Sequence, residues 1–267
     1  MSTEQVHPKG RQLGPRSSAK QVVALLHRED LRAVKAVGRV RAQVSEAAEL
    51  IAACLLRGGR LIYAGAGTSG RLGALDAAEC PPTFGTAPWQ VIALMAGGRG
   101  ALTRAIEGAE DDAAAGAGAI AGVKAAEVDV VCAITASGTT PWVLAALKEA
   151  RRRGARTVLV CCNPAIARRV KVDVRISPDT GPEVLAGSTR LKAGTATKLV
   201  LNALSTAAMV RLGHVASGRM AKLRPTNAKL RVRAVGIVAD LLGVDRKEAA
   251  KRLKAAGTVA AALALAR

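Results

Sequence analysis

Two short loops rich in glycine and hydroxyl side chains are the first places where this sequence could do chemistry. Gly65-Ala66-Gly67-Thr68-Ser69-Gly70 directly follows an apolar run, Arg60–Ala64, and opens a helical stretch. Its glycines permit positive φ and close approach of a ligand to the backbone. Unpaired N–H groups at a helix start favour an anion, and Thr68 and Ser69 add hydroxyl donors. The second loop, Thr135-Ala136-Ser137-Gly138-Thr139-Thr140-Pro141, repeats the arrangement after another apolar run. Pro141 suits a first helical turn. Loops at the C-terminal ends of parallel strands converge on one crevice. Phosphate binding is therefore expected of the pair, against the plainer reading in which Ser and Thr only cap helices.

The first loop also matches G-x-G-x-x-G, the dinucleotide fingerprint. That fingerprint calls for an acid at the end of the next strand, which here ends Leu94-Met95-Ala96-Gly97-Gly98. NAD(P) is not expected. Neither loop is a Walker A, since the first lacks the Lys-Ser/Thr ending and no Asp follows a strand to hold magnesium. A phosphate on a sugar is the expected ligand.

Two acidic sites come next. In Asp76-Ala-Ala-Glu79-Cys-Pro-Pro82, Glu79 is expected at a helix end, where an acid opposes the helix dipole. A residue placed against its local preference is a candidate for function. Glu107-Gly-Ala-Glu110-Asp111-Asp112 packs four carboxylates into six residues. Its plain reading is a solvated turn or an N-cap. Two carboxylates whose environments separate their pKa values can act as general acid and general base. With a held sugar phosphate, that suits elimination, isomerisation or hydrolysis, and the residues alone do not choose among them.

The elements that must position these groups follow from the hydrophobic period. Residues 1–18 are polar with Pro8 and Pro15 and read as an extended arm. Helical spacing covers 19–57, with Val22, Leu25 and Leu26 on one apolar face and Val40, Val44, Ala47, Leu50, Ile51 and Leu55 on another. Short apolar runs at 60–64, 90–95, 128–134, 157–162 and 172–176 read as buried strands. Helical stretches are expected at about 69–79, 100–122, 140–153 and 164–170, then at 187–212, 227–242 and 245–266. Strands alternating with helices give an α/β protein: a doubly wound, five-stranded parallel sheet with flanking helices and a small helical C-terminal appendage. The expected division is an N-terminal arm and helices at 1–57, the phosphosugar-binding domain at 58–215, and a C-terminal helical region at 216–267.

Composition narrows the classes further. Half of the 267 residues are hydrophobic, enough for a real core. Aromatics are only Tyr63, Phe84, Trp89 and Trp142, so the core must be aliphatic. The formal charge of +20 suggests an anionic partner. By segment, however, 1–60 carries +6, 61–150 carries −4 and 151–267 carries +18. The region with the motifs is acidic, so nucleic acid is not expected as a partner. Residues 1–9 are polar, which gives no secretory signal, and no apolar stretch reaches the ~20 residues of a membrane span. Five cysteines, an odd number set mostly in apolar runs, read as buried free thiols and point to a reducing, cytoplasmic compartment. His7, His27 and His214 are too scattered for a metal cluster.

Several of these segments together resemble a known family. Leu61–Gly73 (LIYAGAGTSGRLG), Asp76–Gly85 (DAAECPPTFG), Glu107–Asp112 (EGAEDD) and Gly181–Thr195 (GPEVLAGSTRLKAGT) are similar to the N-acetylmuramic acid 6-phosphate etherases. Lys198–Asn202, Pro225–Leu230 and the opening Thr3-Glu-Gln-Val share the likeness, which spans nearly the whole chain. The sugar isomerase (SIS) fold motifs are shared more widely, including with the glucokinase regulatory protein. The resemblance implies a cofactor-free cytoplasmic homodimer that cleaves the D-lactyl ether of N-acetylmuramic acid 6-phosphate, by elimination and then hydration, in cell-wall recycling. It places the acid for the leaving oxygen on Glu79 and the C2 base on Glu110. It lines the phosphosugar site with Thr68, Ser69, Ser137, Gly138, Thr139 and Ser188.

One distance bears on that assignment. On a continuous helix, Glu79 lies ~15 Å from Ser69, longer than a sugar phosphate. Either the helix breaks early or Glu79 serves a site shared with a second subunit. The chain also departs from the family pattern. Thr139 stands where an Arg is common, Lys222 where an acid is common, and the family commonly carries more helix after the region matching 245–266. A sugar-phosphate-binding regulator without catalysis is the alternative reading, and a phosphosugar isomerase a third. Glu79 and Glu110 favour the lyase.

Overall fold

The computed structural model describes residues 3, 5–9, 13–223 and 228–265. Glu4 of the opening motif, Pro225–Asn227 of the Pro225–Leu230 motif and Ala266 lie outside the described residues.

Five strands form one parallel sheet: β1 (Leu61–Gly65), β2 (Val91–Met95), β3 (Val130–Thr135), β4 (Arg156–Cys161) and β5 (Val174–Ile176). Their order is β2-β1-β3-β4-β5. β1 and β3 are buried along their whole length, as strands covered on both faces must be. Leu61 and Tyr63 of β1 and Val130, Cys132 and Ile134 of β3 face one core layer. Ile62 and Ala64, with Val131 and Ala133, face the other. The strand reversal falls between β1 and β3, where Gly65 pairs with Ile134. Ligands in open α/β sheets bind at this switch point.

The first layer is closed by α2 (Arg41–Leu56), α3 (Gly67–Phe84) and α7 (Lys192–Arg211). α1 (Ala19–Gly38) lies against α7 and starts with a capping box between Ser18 and Gln21. α4 (Ala113–Gly122) and α5 (Pro141–Arg152) close the second layer. They cross so closely that a Cβ on Gly116 would sit 2.1 Å from the Trp142 carbonyl oxygen. A short α6 (Pro164–Ala167) follows β4. After α7 come a hairpin of β6 (Val215–Ala216) and β7 (Arg219–Met220), then α8 (Ala228–Leu242), α9 (Arg246–Ala256) and α10 (Val259–Ala264). Leu223, Leu230, Ile237, Val238, Leu253 and Val259 give these last helices a core of their own.

Four sequence expectations change. The stretch 100–122 is not one helix: a 3-10 turn, Gly98–Leu102, and the acidic turn precede α4. Asp112 caps α4 by accepting from the Ala115 N–H, so the helix cannot begin earlier. The expected helix at 187–212 begins only at Lys192, because Gly187 has φ +75° and 187–191 is loop. α3 runs past Glu79 and through Pro81 and Pro82 to Phe84. It ends where Gly85, at φ +67°, donates to the Pro81 carbonyl. The β6–β7 hairpin is new. Its turn is Ser217-Gly218, both at positive φ, a pair that closes a two-residue hairpin loop.

Candidate active site

The two hydroxyl-rich loops leave the C-terminal ends of β1 and β3 side by side and share a crevice of about 510 Å³. Ala66, Gly67, Thr68 and Ser69 form one wall, and Ser137, Thr139 and Thr140 another. α3 begins at Gly67, so Thr68 and Ser69 lie in its first turn, and the cap residue Ala66 offers no side-chain acceptor. α5 begins at Pro141, and Thr140 makes no side-chain cap bond. Here the hydroxyls do not cap the helices, which removes the plain reading of both loops. Two helix N-termini with uncapped first turns open onto one crevice, an arrangement suited to an oxyanion.

The second loop organises itself. Ser137 Oγ accepts from the Thr139 N–H at 3.2 Å and bonds Thr139 Oγ1 at 3.0 Å. The Gly138 N–H donates to Thr135 Oγ1 at 3.2 Å. Gly138 itself is buried behind the crevice at φ +83°, where a Cβ would meet Cys161 Sγ at 2.9 Å. It shapes the loop and does not line the pocket.

The third wall comes from the segment before α7. Gly187 and Thr189 line the crevice, and Ser188 sits half-buried between them. Sequence reasoning missed what fixes this segment. Glu183, fully buried, accepts the Lys192 and Ala193 N–H groups at 3.2 and 2.9 Å and so caps α7. Burial raises its pKa, while the two N–H bonds pull it back down. The buried Lys192 Nζ donates to Glu29 Oε2 of α1 at 2.7 Å. Burial pushes Glu29 up, but the bonds and charges of Lys192, His7 and Arg32 hold it below its usual value overall. The local sequence did not mark the pair, since Glu29 sits between Arg28 and Asp30 and Lys192 two residues after Arg190.

The two candidate carboxylates are not together. Glu110 lines the crevice, next to Asp111. Its carbonyl accepts the Trp142 N–H at 3.0 Å, which ties the acidic turn to the first turn of α5. Glu79 lies on the exposed face of α3 and does not line the crevice of its own chain. One turn earlier, buried Asp76 accepts from Tyr63 Oη at 2.8 Å, Asn202 Nδ2 at 2.8 Å and Ser205 Oγ at 3.1 Å. Burial raises the Asp76 pKa against these three bonds. Asp76 thus pins α3 to β1 and α7 and fixes the face on which Glu79 stands.

The sheet order and the two loops at its switch point define a doubly wound α/β protein with an anion-binding crevice. The family model for the glucokinase regulatory protein N-terminal SIS domain matches residues 43–151. Among solved structures, a phosphoheptose isomerase from Neisseria gonorrhoeae aligns with TM-score 0.53 and 22% identity, covering 72% of this chain and 99% of that one. The Vibrio vulnificus NanR protein complexed with ManNAc-6P aligns with TM-score 0.53 and 14% identity, covering 72% of this chain and 64% of that one. At such identities these likenesses establish the fold alone. The sequence relatives go further. The N-acetylmuramic acid 6-phosphate etherase of Synechocystis is 50% identical over 96% of this chain and 83% of its own length. That of Serratia proteamaculans is 49% identical over 90% of this chain and 81% of its own length. The chain belongs to the N-acetylmuramic acid 6-phosphate etherase family and is an enzyme of that class, not the non-catalytic regulator.

Proposed function

We propose that this enzyme cleaves the D-lactyl ether of N-acetylmuramic acid 6-phosphate, giving N-acetylglucosamine 6-phosphate and D-lactate. One observation supports the reading most: both phosphate-type loops and the Glu110 carboxylate line one crevice. The phosphate sits on the first turns of α3 and α5, with Thr68, Ser69, Ser137 and Thr139 donating and Ser188 closing from the third wall. The open-chain aldehyde makes the C2 proton acidic. Glu110 takes that proton, the C3–O bond breaks, and Glu79 gives its proton to the departing lactate oxygen. Water then adds across the C2–C3 double bond: Glu79 accepts the water's proton as its oxygen bonds C3, and Glu110 returns a proton to C2. Each carboxylate ends as it began.

The position of Glu79 favours a homodimer in which each crevice receives Glu79 of the partner subunit. The family resemblance points to the cytoplasm. Among the described residues, no helix is long and apolar enough to cross a membrane.

Incubation of the purified protein with N-acetylmuramic acid 6-phosphate, with D-lactate followed over time, tests the reading. D-lactate should appear together with N-acetylglucosamine 6-phosphate, and Glu110→Gln should slow release by about 10²–10⁴-fold. Folded protein that binds the sugar phosphate but releases no lactate overturns the proposal.

A further inference from the structure

Beside the crevice lies a second pocket of about 190 Å³. Ala66, Gly67 and Glu110 line both spaces, so the two adjoin at these residues. About half of the pocket wall is apolar, from Met95, Ala96, Ala101, Ala105, Ile106 and Ala109. Its polar groups are Arg71, Glu107 and Glu110. The Arg71 guanidinium is held in place, with Nε donating to the Leu102 carbonyl at 3.2 Å and Nη2 to the Arg104 carbonyl at 3.1 Å. A guanidinium has five N–H donors, so donors remain for a ligand.

We infer that this side pocket is the subsite for the 2-acetamido group of the sugar. The inference rests on the etherase reading, which puts the C2 atom beside Glu110. The substituent on C2 is then the one nearest the second pocket, which Glu110 also lines. Two substituents compete for the pocket, the acetamido group and the lactyl group, and charge separates them. The lactyl carboxylate would meet Glu107 and Glu110 with a single guanidinium to offset them, and like charges in a confined space repel. The acetamido group is neutral. Its methyl matches the aliphatic half of the wall, its carbonyl accepts from Arg71, and its N–H donates to the carboxylate of Glu107 or Glu110. With the acetamido group inside, the lactyl ether is left on the open side of the crevice, where Glu79 of the partner subunit would arrive.

Calorimetric titration of N-acetylglucosamine 6-phosphate and glucose 6-phosphate tests this without any turnover. Wild-type protein should bind the acetamido sugar about tenfold more tightly, the worth of one buried methyl and one hydrogen bond. Ala105→Trp fills the pocket and Ile106→Glu adds an acid to its wall. Both positions are exposed, so neither change enters the core. Each should bring the acetamido sugar to within about twofold of glucose 6-phosphate, while glucose 6-phosphate binding stays as in wild type and reports an intact fold and phosphate site. Equal wild-type affinities, or a loss shared by both sugars, would overturn the assignment. Failure of the lactate assay with this preference intact would overturn the etherase chemistry alone. Absence of binding by either sugar would overturn both.

Discussion

Glu79 stands on the exposed face of α3 while Glu110 lines the crevice, and that separation divides their roles. In the proposed reaction a base at C2 needs to reach only the carbon acid, which suits Glu110 at the crevice. An acid for the leaving oxygen is needed only when the C3–O bond breaks. Glu79→Gln should therefore abolish lactate release while C2 proton exchange with solvent persists. Proton NMR in deuterated water would follow exchange, and an enzymatic lactate assay would follow release. Equal loss of both would remove the acid role. The types of these residues were legible from sequence, because a glutamate before two prolines and a run of four acids are both unusual. Their positions were not, because a side chain's partners lie in other elements. Asp76 shows why: its three donors come from residues 63, 202 and 205.

Among the elements, α3 carries the crevice residues Thr68 and Ser69 at its start and Glu79 near its end. Its C-terminal end is held by the hairpin region. His214 Nδ1 lies 2.7 Å from the Phe84 carbonyl oxygen, and Nε2 lies 3.1 Å from Lys222 Nζ. A carbonyl only accepts and an ammonium only donates, so the imidazole is neutral with its proton on Nδ1. Burial holds the His214 pKa below 6.5; the Phe84 bond pulls it up and the Lys222 charge pushes it down again. As pH falls, the unfolded chain therefore takes up this proton before the folded one. The stability contribution is complete above 6.5 and is lost as pH drops through the window down to the folded value. Thermal melts between about pH 7 and about pH 5 should show wild type losing Tm more steeply than His214→Gln. His7, lowered mainly by burial, has the same sign but is present in both proteins. Parallel slopes would count against the neutral relay. Lys222 was legible in the sequence only as a departure from a pattern; its histidine partner eight residues earlier was not.

For the whole molecule, the decisive prediction concerns sharing. Glu79→Gln and Glu110→Gln proteins should each be inactive. Mixed after dissociation and reassociation, they form some dimers with one crevice that has both carboxylates. Random pairing would restore about a quarter of wild-type lactate release, since half of the dimers are mixed and each holds one intact site. No recovery would mean that each chain completes its own site. The +20 charge belongs at this scale too. Much of it lies in 151–267 on exposed side chains such as Arg151, Arg168 and Arg190. A field of that sign attracts an anionic sugar phosphate to the surface.

The sequence by itself determined the five strands, the two loops and the four-acid turn. Those signals are local: a run of apolar residues, a glycine beside a serine, a change of hydrophobic period. Tertiary structure decided which of them meet. The β2-β1-β3-β4-β5 order sets the ends of β1 and β3 adjacent, because the strand reversal opens a gap there that no crossover helix covers. With Asp112 spent on the cap of α4, Glu110 and Asp111 are the acids that line that gap. The unbroken α3 carries Glu79 out of it, since a helix rises ~1.5 Å per residue whatever chemistry its ends require.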